Sequence, residues 1–119
     1  MTVSFSSLGL SDRIVTQLEG LGITEPTNIQ EQAIPFLLSG KDVVGQSQTG
    51  TGKTAAFALP MIERIDWQRP VVQALVLTPT RELAMQVSQA MKPSWVVTSV
   101  VRRFSPSTAD KPSTCKFVA

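Results

Sequence analysis

The apolar and polar positions of the chain predict four helices and two short buried strands. Ile14, Leu18 and Leu21 recur at helical spacing, and Ser11 and Asp12 stand where an N-cap belongs. Gly20 and Gly22 end that helix, and a turn follows through Thr24-Glu25-Pro26. Thr27 caps a second helix, with Gln30 three residues on in the capping-box position. Ile29, Ala33, Phe36 and Leu37 give it an apolar face, and Gly40 stops it. A third helix is expected over residues 53–65 and a fourth over residues 81–91.

The two strands are Asp42-Val43-Val44-Gly45 and Ala74-Leu75-Val76-Leu77, each short, continuous and apolar. Residues 67–70 read as a loop, and Thr78-Pro79-Thr80 closes the second strand. Strand, loop, helix, repeated, is the order of a parallel α/β sheet. Two parallel strands without neighbours leave backbone groups and apolar faces open. The chain by itself is therefore expected to be poorly stable or prone to aggregate.

Composition narrows the classes. A chain of 119 residues, 42% of them hydrophobic, suits one globular domain. No apolar run approaches the roughly 18 residues that span a bilayer, and the longest, residues 55–62, contains Pro60. The opening MTVSFSSLGLSDR lacks the basic and apolar regions of a signal peptide. One cysteine, Cys115, and no histidine leave no internal disulfide and no metal-ligand cluster, which fits a reducing cytoplasm. Residues 1–92 carry seven Lys/Arg and eight Asp/Glu, a net of −1, whereas residues 93–119 carry four and one, a net of +3. The basic character belongs to the tail.

The stretch QSQTGTGKT, residues 46–54, holds the candidate chemistry. It approaches the pattern G-x-x-x-x-G-K-[ST] between a strand and a helix, with Ser47 in the place of the first glycine and Gly52, Lys53 and Thr54 in register. Gly50 adds flexibility. Backbone N–H groups of such a loop converge on one centre, and the dipole of the following helix adds positive potential there. Lys53 would reach the β and γ phosphates, and the Thr54 hydroxyl would take Mg²⁺. A purely structural glycine turn has no need of Lys-Thr at the helix start, where a lysine without an anion is electrostatically unfavourable.

Two flanking stretches join it: Gly22-Ile23-Thr24-Glu25-Pro26-Thr27-Asn28-Ile29-Gln30, with Phe5 further upstream, and Pro79-Thr80-Arg81-Glu82-Leu83-Ala84. With the glycine loop they resemble the Q motif, motif I and motif Ia of DEAD-box RNA helicases, in that order, over residues 5 to about 92. The resemblance implies a RecA-like P-loop NTPase fold, truncated here to a partial parallel sheet, with ATP and Mg²⁺ as ligands and RNA as partner, and no membrane. It places Phe5, Ile23, Glu25, Thr27, Gln30 and Ser47, Gln48, Thr49, Gly50, Thr51, Gly52, Lys53 and Thr54 at the nucleotide, with Lys53 and Thr54 as its catalytic members. Pro79, Thr80 and Arg81 fall to the RNA backbone. Gln30 would read adenine, because its amide offers both a donor and an acceptor to N6 and N7. Ile23 stands where the family stacks an aromatic on the base. Phe5 suits core packing as well as it suits the family's isolated upstream aromatic.

After Lys92 the family pattern stops: the Gly-Gly step, the acidic D-E-A-D box, the Ser-Ala-Thr motif and the second RecA-like domain do not follow. The resemblance thus implies the N-terminal part of a helicase, an ATP hydrolase by family whose present residues would bind ATP–Mg²⁺ at best and not unwind RNA alone. A non-catalytic nucleotide-binding module with a basic nucleic-acid-binding tail is the competing class; such a module would fold alone. The tail, rich in Ser, Thr and Pro, reads either as a natural disordered segment, in which residues 96–101 could add an edge strand, or as a shifted reading frame. Read one frame over from Phe104, suitable synonymous codons permit L-A-I-Y-G-G-Q-T-I-D-L-Q-V, a good likeness of the helicase segment with the Gly-Gly step. Residues from about Pro93 on are expected to be out of frame. Sequencing the coding DNA across codons 90–105 tests this: a nearby single insertion or deletion that restores an open helicase frame is expected, and its absence refutes the shift.

Overall fold

The computed structural model describes residues 3–48, 50 and 52–91. The tail from residue 93, including the expected edge strand at 96–101, lies outside the described residues, as do Thr49 and Thr51. The chain divides into two compact units between Arg64 and Ile65.

The first unit is helical. A 3-10 turn, Phe5–Leu8, precedes α1 (Asp12–Gly20), α2 (Asn28–Leu38) and α3 (Lys53–Arg64). Helix α1 buries Ile14, Val15 and Leu18, one turn's worth of a helical stripe, while Leu21 is the exposed capping residue rather than part of that stripe. The chain then turns over: the Gly22 N–H donates to the Glu19 carbonyl, and the Ile23 N–H reaches back to Leu18. Gly22 permits this by taking φ +76°, which side chains with a Cβ rarely adopt.

Helix α2 starts as the sequence predicts, on a capping box between Thr27 and Gln30. Its buried face differs. Gln30, Ala33 and Ile34 are the buried residues, whereas Phe36 is 52% exposed and Ile29 and Leu37 are only half-buried. The stripe is rotated because Gln30, polar in the sequence, has both ends of its amide hydrogen-bonded and so can lie inward. Phe36 instead lies outward, with the Lys41 ammonium 5.4 Å from its ring centroid. The last carbonyls of α2 are all engaged: Pro35 by the Ser39 N–H, Phe36 by the Lys41 N–H and Ser39 hydroxyl, Leu37 by the Gly40 N–H, and Leu38 by the Arg64 guanidinium.

Helix α3 runs through Pro60, which is buried, and packs chiefly on α2. Leu18, Ile34 and Leu59, one from each helix, are the largest fully buried side chains and mark the centre of the unit.

In the second unit, the loop after Ile65 is tied by Gln73. Its Oε1 accepts from the Asp66 N–H at 2.9 Å, and its Nε2 donates to the carbonyls of Asp66 and Arg69. Helix α4 (Arg81–Ala90) follows, with Ala84 buried. Its start and end lie where the sequence predicts, within a residue.

The two expected strands are not formed among the described residues: neither stretch enters a ladder. Nor are they buried, since Val44 is 96% exposed and Leu77 is also exposed, with residues 74–76 only half-buried. A parallel strand exists only against partners brought alongside by long crossovers, so an apolar run alone does not make one.

The helical core is expected to carry the stability of the first unit. Leu59→Ala should destabilise the chain by about 2–5 kcal/mol, through lost burial and the cavity it leaves, and chemical denaturation followed by circular dichroism measures it.

Candidate nucleotide site

Two helix starts come together in the first unit. The Gln30 side chain, 5% exposed, accepts from the Thr27 N–H at 3.0 Å and donates from Nε2 to the Gly52 carbonyl at 3.2 Å. Thr27 and Gln30 begin α2, and Gly52 immediately precedes α3. The glycine is required twice over. Its φ is +83°, and a Cβ added there would lie 2.4 Å from Gln30 Nε2 and 3.1 Å from Thr27 Oγ1. A side chain at residue 52 would push the Gln30 amide off the Gly52 carbonyl.

The Gly52 carbonyl also accepts from the Ala56 N–H at 3.1 Å, closing the first turn of α3. The N–H groups at the start of this helix have no carbonyl four residues behind them within the helix, and the helix dipole concentrates positive potential at that end. Lys53 is exposed there, and its ammonium donates to the Ser47 carbonyl across the loop. A carbonyl oxygen is a partial negative charge, so the lysine has met its need for an acceptor inside the loop. A phosphate oxygen carries a full charge and binds an ammonium more strongly than a carbonyl does.

Of the remaining expected nucleotide residues, Gln48 and Gly50 are exposed, Ser47 and Thr54 are half-buried, and Gly50 takes φ +80°. Ile23 (42% exposed), Glu25 and Thr27 are on the surface, with Ile23 on the turn that leads into α2. Phe5 is placed otherwise. It is 2% exposed in the 3-10 turn, among the core residues, which is the packing alternative of its two sequence readings. Among the described residues no group of three or more His, Cys, Asp or Glu is placed to hold a metal ion.

What the sequence did not reveal is the contact between Gln30 and Gly52. A glutamine at the third position of a helix accounts for itself as a capping-box residue, and the second bond spans 22 residues of chain. Its only trace in the sequence is a glycine that precedes the Lys-Thr pair.

In the second unit, Thr80 is the N-cap of α4. Its Oγ1 accepts from the Leu83 N–H at 3.2 Å, and its carbonyl accepts from the Thr78 hydroxyl at 3.0 Å. The Thr80 hydroxyl hydrogen is not used by the cap, because the oxygen acts there as acceptor. Pro79, Thr80 and Arg81 are all exposed, at a helix start of the kind that receives phosphate groups.

The chain resembles known proteins over most of its length. The family model described as DEAD/DEAH box helicase matches residues 27–111. The RNA helicase CrhR of Synechocystis is 59% identical over 92 residues, 77% of this chain and 18% of the relative. The ATP-dependent RNA helicase CshA of Limosilactobacillus reuteri is 54% identical over 89 residues, 75% of this chain and 18% of that protein. The chain thus spans under a fifth of the length of these relatives.

Among solved structures, a DEAD box protein from Methanococcus jannaschii superposes with a TM-score of 0.69 at 42% identity, over 76% of this chain and 25% of its own. Dbp5 of S. cerevisiae, in a structure bound to RNA and ADP BeF3, gives 0.73 at 37% identity, over 82% of this chain and 25% of its own. No helix of the described residues is long and apolar enough to cross a membrane. On the matched span and the identity to these relatives, the chain belongs to the DEAD/DEAH box helicase family, among its DEAD-box RNA helicases.

Proposed function

We propose that this chain is the ATP- and RNA-contacting N-terminal portion of a DEAD-box ATP-dependent RNA helicase. The observation that carries the reading is the buried Gln30 amide against Gly52, which holds an adenine-reading side chain and a phosphate loop in one frame. The backbone N–H groups at the start of α3 and the Lys53 ammonium take the β and γ phosphates, and the lysine leaves the Ser47 carbonyl to do so. Ser47, Gln48 and Gly50 line the cradle, to which Thr49 and Thr51 are assigned by sequence alone, and Thr54 would hold Mg²⁺. That ion, when bound with the nucleotide, neutralises charge on the phosphates.

Base selection follows from what the Gln30 amide has left over. One hydrogen on Nε2 and one lone pair on Oε1 remain after its two internal bonds. Adenine presents an acceptor at N7 beside a donor at N6, and guanine presents acceptors at both places. The same amide therefore meets adenine with two hydrogen bonds and guanine with one bond and a clash of lone pairs. Ile23 and Glu25 flank the base from the turn before α2, the isoleucine as an aliphatic wall.

The RNA backbone falls to Pro79, Thr80 and Arg81. The Thr80 hydroxyl and the N–H groups at the start of α4 donate to a phosphate and Arg81 adds charge, so this contact positions a strand without reading its sequence. The 119 residues contain no D-E-A-D run to orient the attacking water. They bind and select nucleotide, and they do not hydrolyse it or unwind RNA by themselves.

Equilibrium binding of fluorescent ATP and GTP analogues to the full chain tests the reading. ATP is expected to bind in preference to GTP, and Lys53→Ala should weaken ATP by about 10- to 100-fold, the range of a hydrogen bond to a charged group. Gln30→Ala should bring the ATP-to-GTP preference close to one. Absence of any ATP binding, or equal affinity for GTP in the unaltered chain, overturns the assignment. RNA-stimulated ATP hydrolysis by the purified chain, abolished by Lys53→Ala, would overturn the claim that it only binds.

A further inference from the structure

Two adjacent residues at the far end of the phosphate-loop helix make contacts that the nucleotide site does not explain. Glu63 Oε2 accepts from both the backbone N–H of Ser11, at 3.1 Å, and its hydroxyl, at 3.0 Å. Ser11 is the N-cap of α1, and its side chain makes no cap bond within its own helix. The Glu63 carboxylate supplies from another helix the bond to the N-cap N–H that the N3 side chain makes in a capping box, at the helix end where the dipole favours an anion. The neighbouring Arg64 sends Nη2 to the carbonyl of Leu38, at 3.0 Å, the last residue of α2, where the dipole favours a cation.

Opposite charges on consecutive residues thus hold opposite helix ends. With Gln30 on Gly52, they attach α3 to the other two helices at three points. The attachment has a direction. Gln30 and Gly52 join the starts of α2 and α3, while Leu38 and Arg64 join their ends, so the two helices lie side by side and run the same way. A slide of α3 along α2 would break both bonds at once. The residues proposed to face the base, Ile23, Glu25, Thr27 and Gln30, are carried on α2 and on the turn between α1 and α2. The phosphate-facing residues are carried at the start of α3. The register between these two groups is the register of α3 against the α1–α2 pair.

From this geometry we infer that Glu63 and Arg64 are positioning residues for the nucleotide site: they set, from the far end of α3, the register that keeps Gly52 against Gln30. The inference rests on the nucleotide reading above for its effect on binding, and on the contacts alone for its effect on the loop.

Hydrogen exchange and nucleotide binding on the full chain test it together, at a temperature where the chain is folded. Arg64 is exposed, so Arg64→Ala is the first variant. Exchange of the Ala56 N–H, which is bonded to Gly52, should speed up relative to the amides of α1, and ATP should bind about fivefold more weakly, the scale of one lost hydrogen bond. Arg64→Lys should restore part of both. Glu63→Gln, which keeps an acceptor and loses the charge, should weaken ATP binding to a smaller extent; because Glu63 touches the start of α1, this variant is read by affinity alone.

A merely structural role would accelerate exchange evenly over α1 and α3 and leave the affinity of the folded chain unchanged; that result overturns the inference. If the unaltered chain binds no ATP, the nucleotide reading falls. The exchange comparison between Ala56 and α1 then still decides whether the pins hold the loop.

Discussion

The Gln30 side chain is the constraint on which the first unit is built. A primary amide at 5% exposure is tolerated only with its hydrogen bonds made, since leaving one end unsatisfied costs about 1–3 kcal/mol. Its partners are the N–H that begins its own helix and the carbonyl that begins the next one. Satisfying one buried group therefore brings two helix starts together, and the absence of a Cβ at Gly52 is the condition for it. The rotated face of α2 follows: once Gln30 points inward, Ala33 and Ile34 are buried with it and Phe36 turns out to Lys41.

The same arrangement concentrates positive charge where the fold answers it only with a carbonyl dipole. Lys53 opens α3, at the end of a helix that prefers an anion, and it is drawn onto the Ser47 carbonyl. The loop thereby holds a cation and a set of helix-start N–H groups close to one another. At the opposite end of α3 the charges are matched: Glu63 meets the start of α1, and Arg64 meets the end of α2. One helix thus has an end whose electrostatics are completed by its neighbours and an end suited to an outside anion. That asymmetry is what the proposed phosphate site rests on.

Much of the local structure was legible in residue order. The capping box of Thr27 and Gln30 and the glycine exit after α1 follow from residue type and spacing, because each depends on side chains a few positions apart. The stripe Ile14 and Leu18 was read correctly, and its extension to Leu21 was not, since the chain leaves the helix at that point. By sequence Phe5 suits core packing as well as the family's upstream aromatic; its burial in the 3-10 turn depends on the helices packed over it. The apolar stretches at residues 43–44 and 74–77 read as buried strands, yet no ladder forms at either among the described residues. Strand pairing is a property of two segments, and a hydrophobic run specifies only one of them.

Helix limits, caps, the glycine loop and the order of the three motifs were all contained in the chain's own text, because each is set by interactions within a turn or two of backbone. The inward rotation of Gln30, the exclusion of a Cβ at Gly52 and the two pins at the end of α3 join residues 22, 52 and 26 positions apart. They came only with the packed helices, because burial decides which polar groups must find partners, and packing decides which partners are within reach.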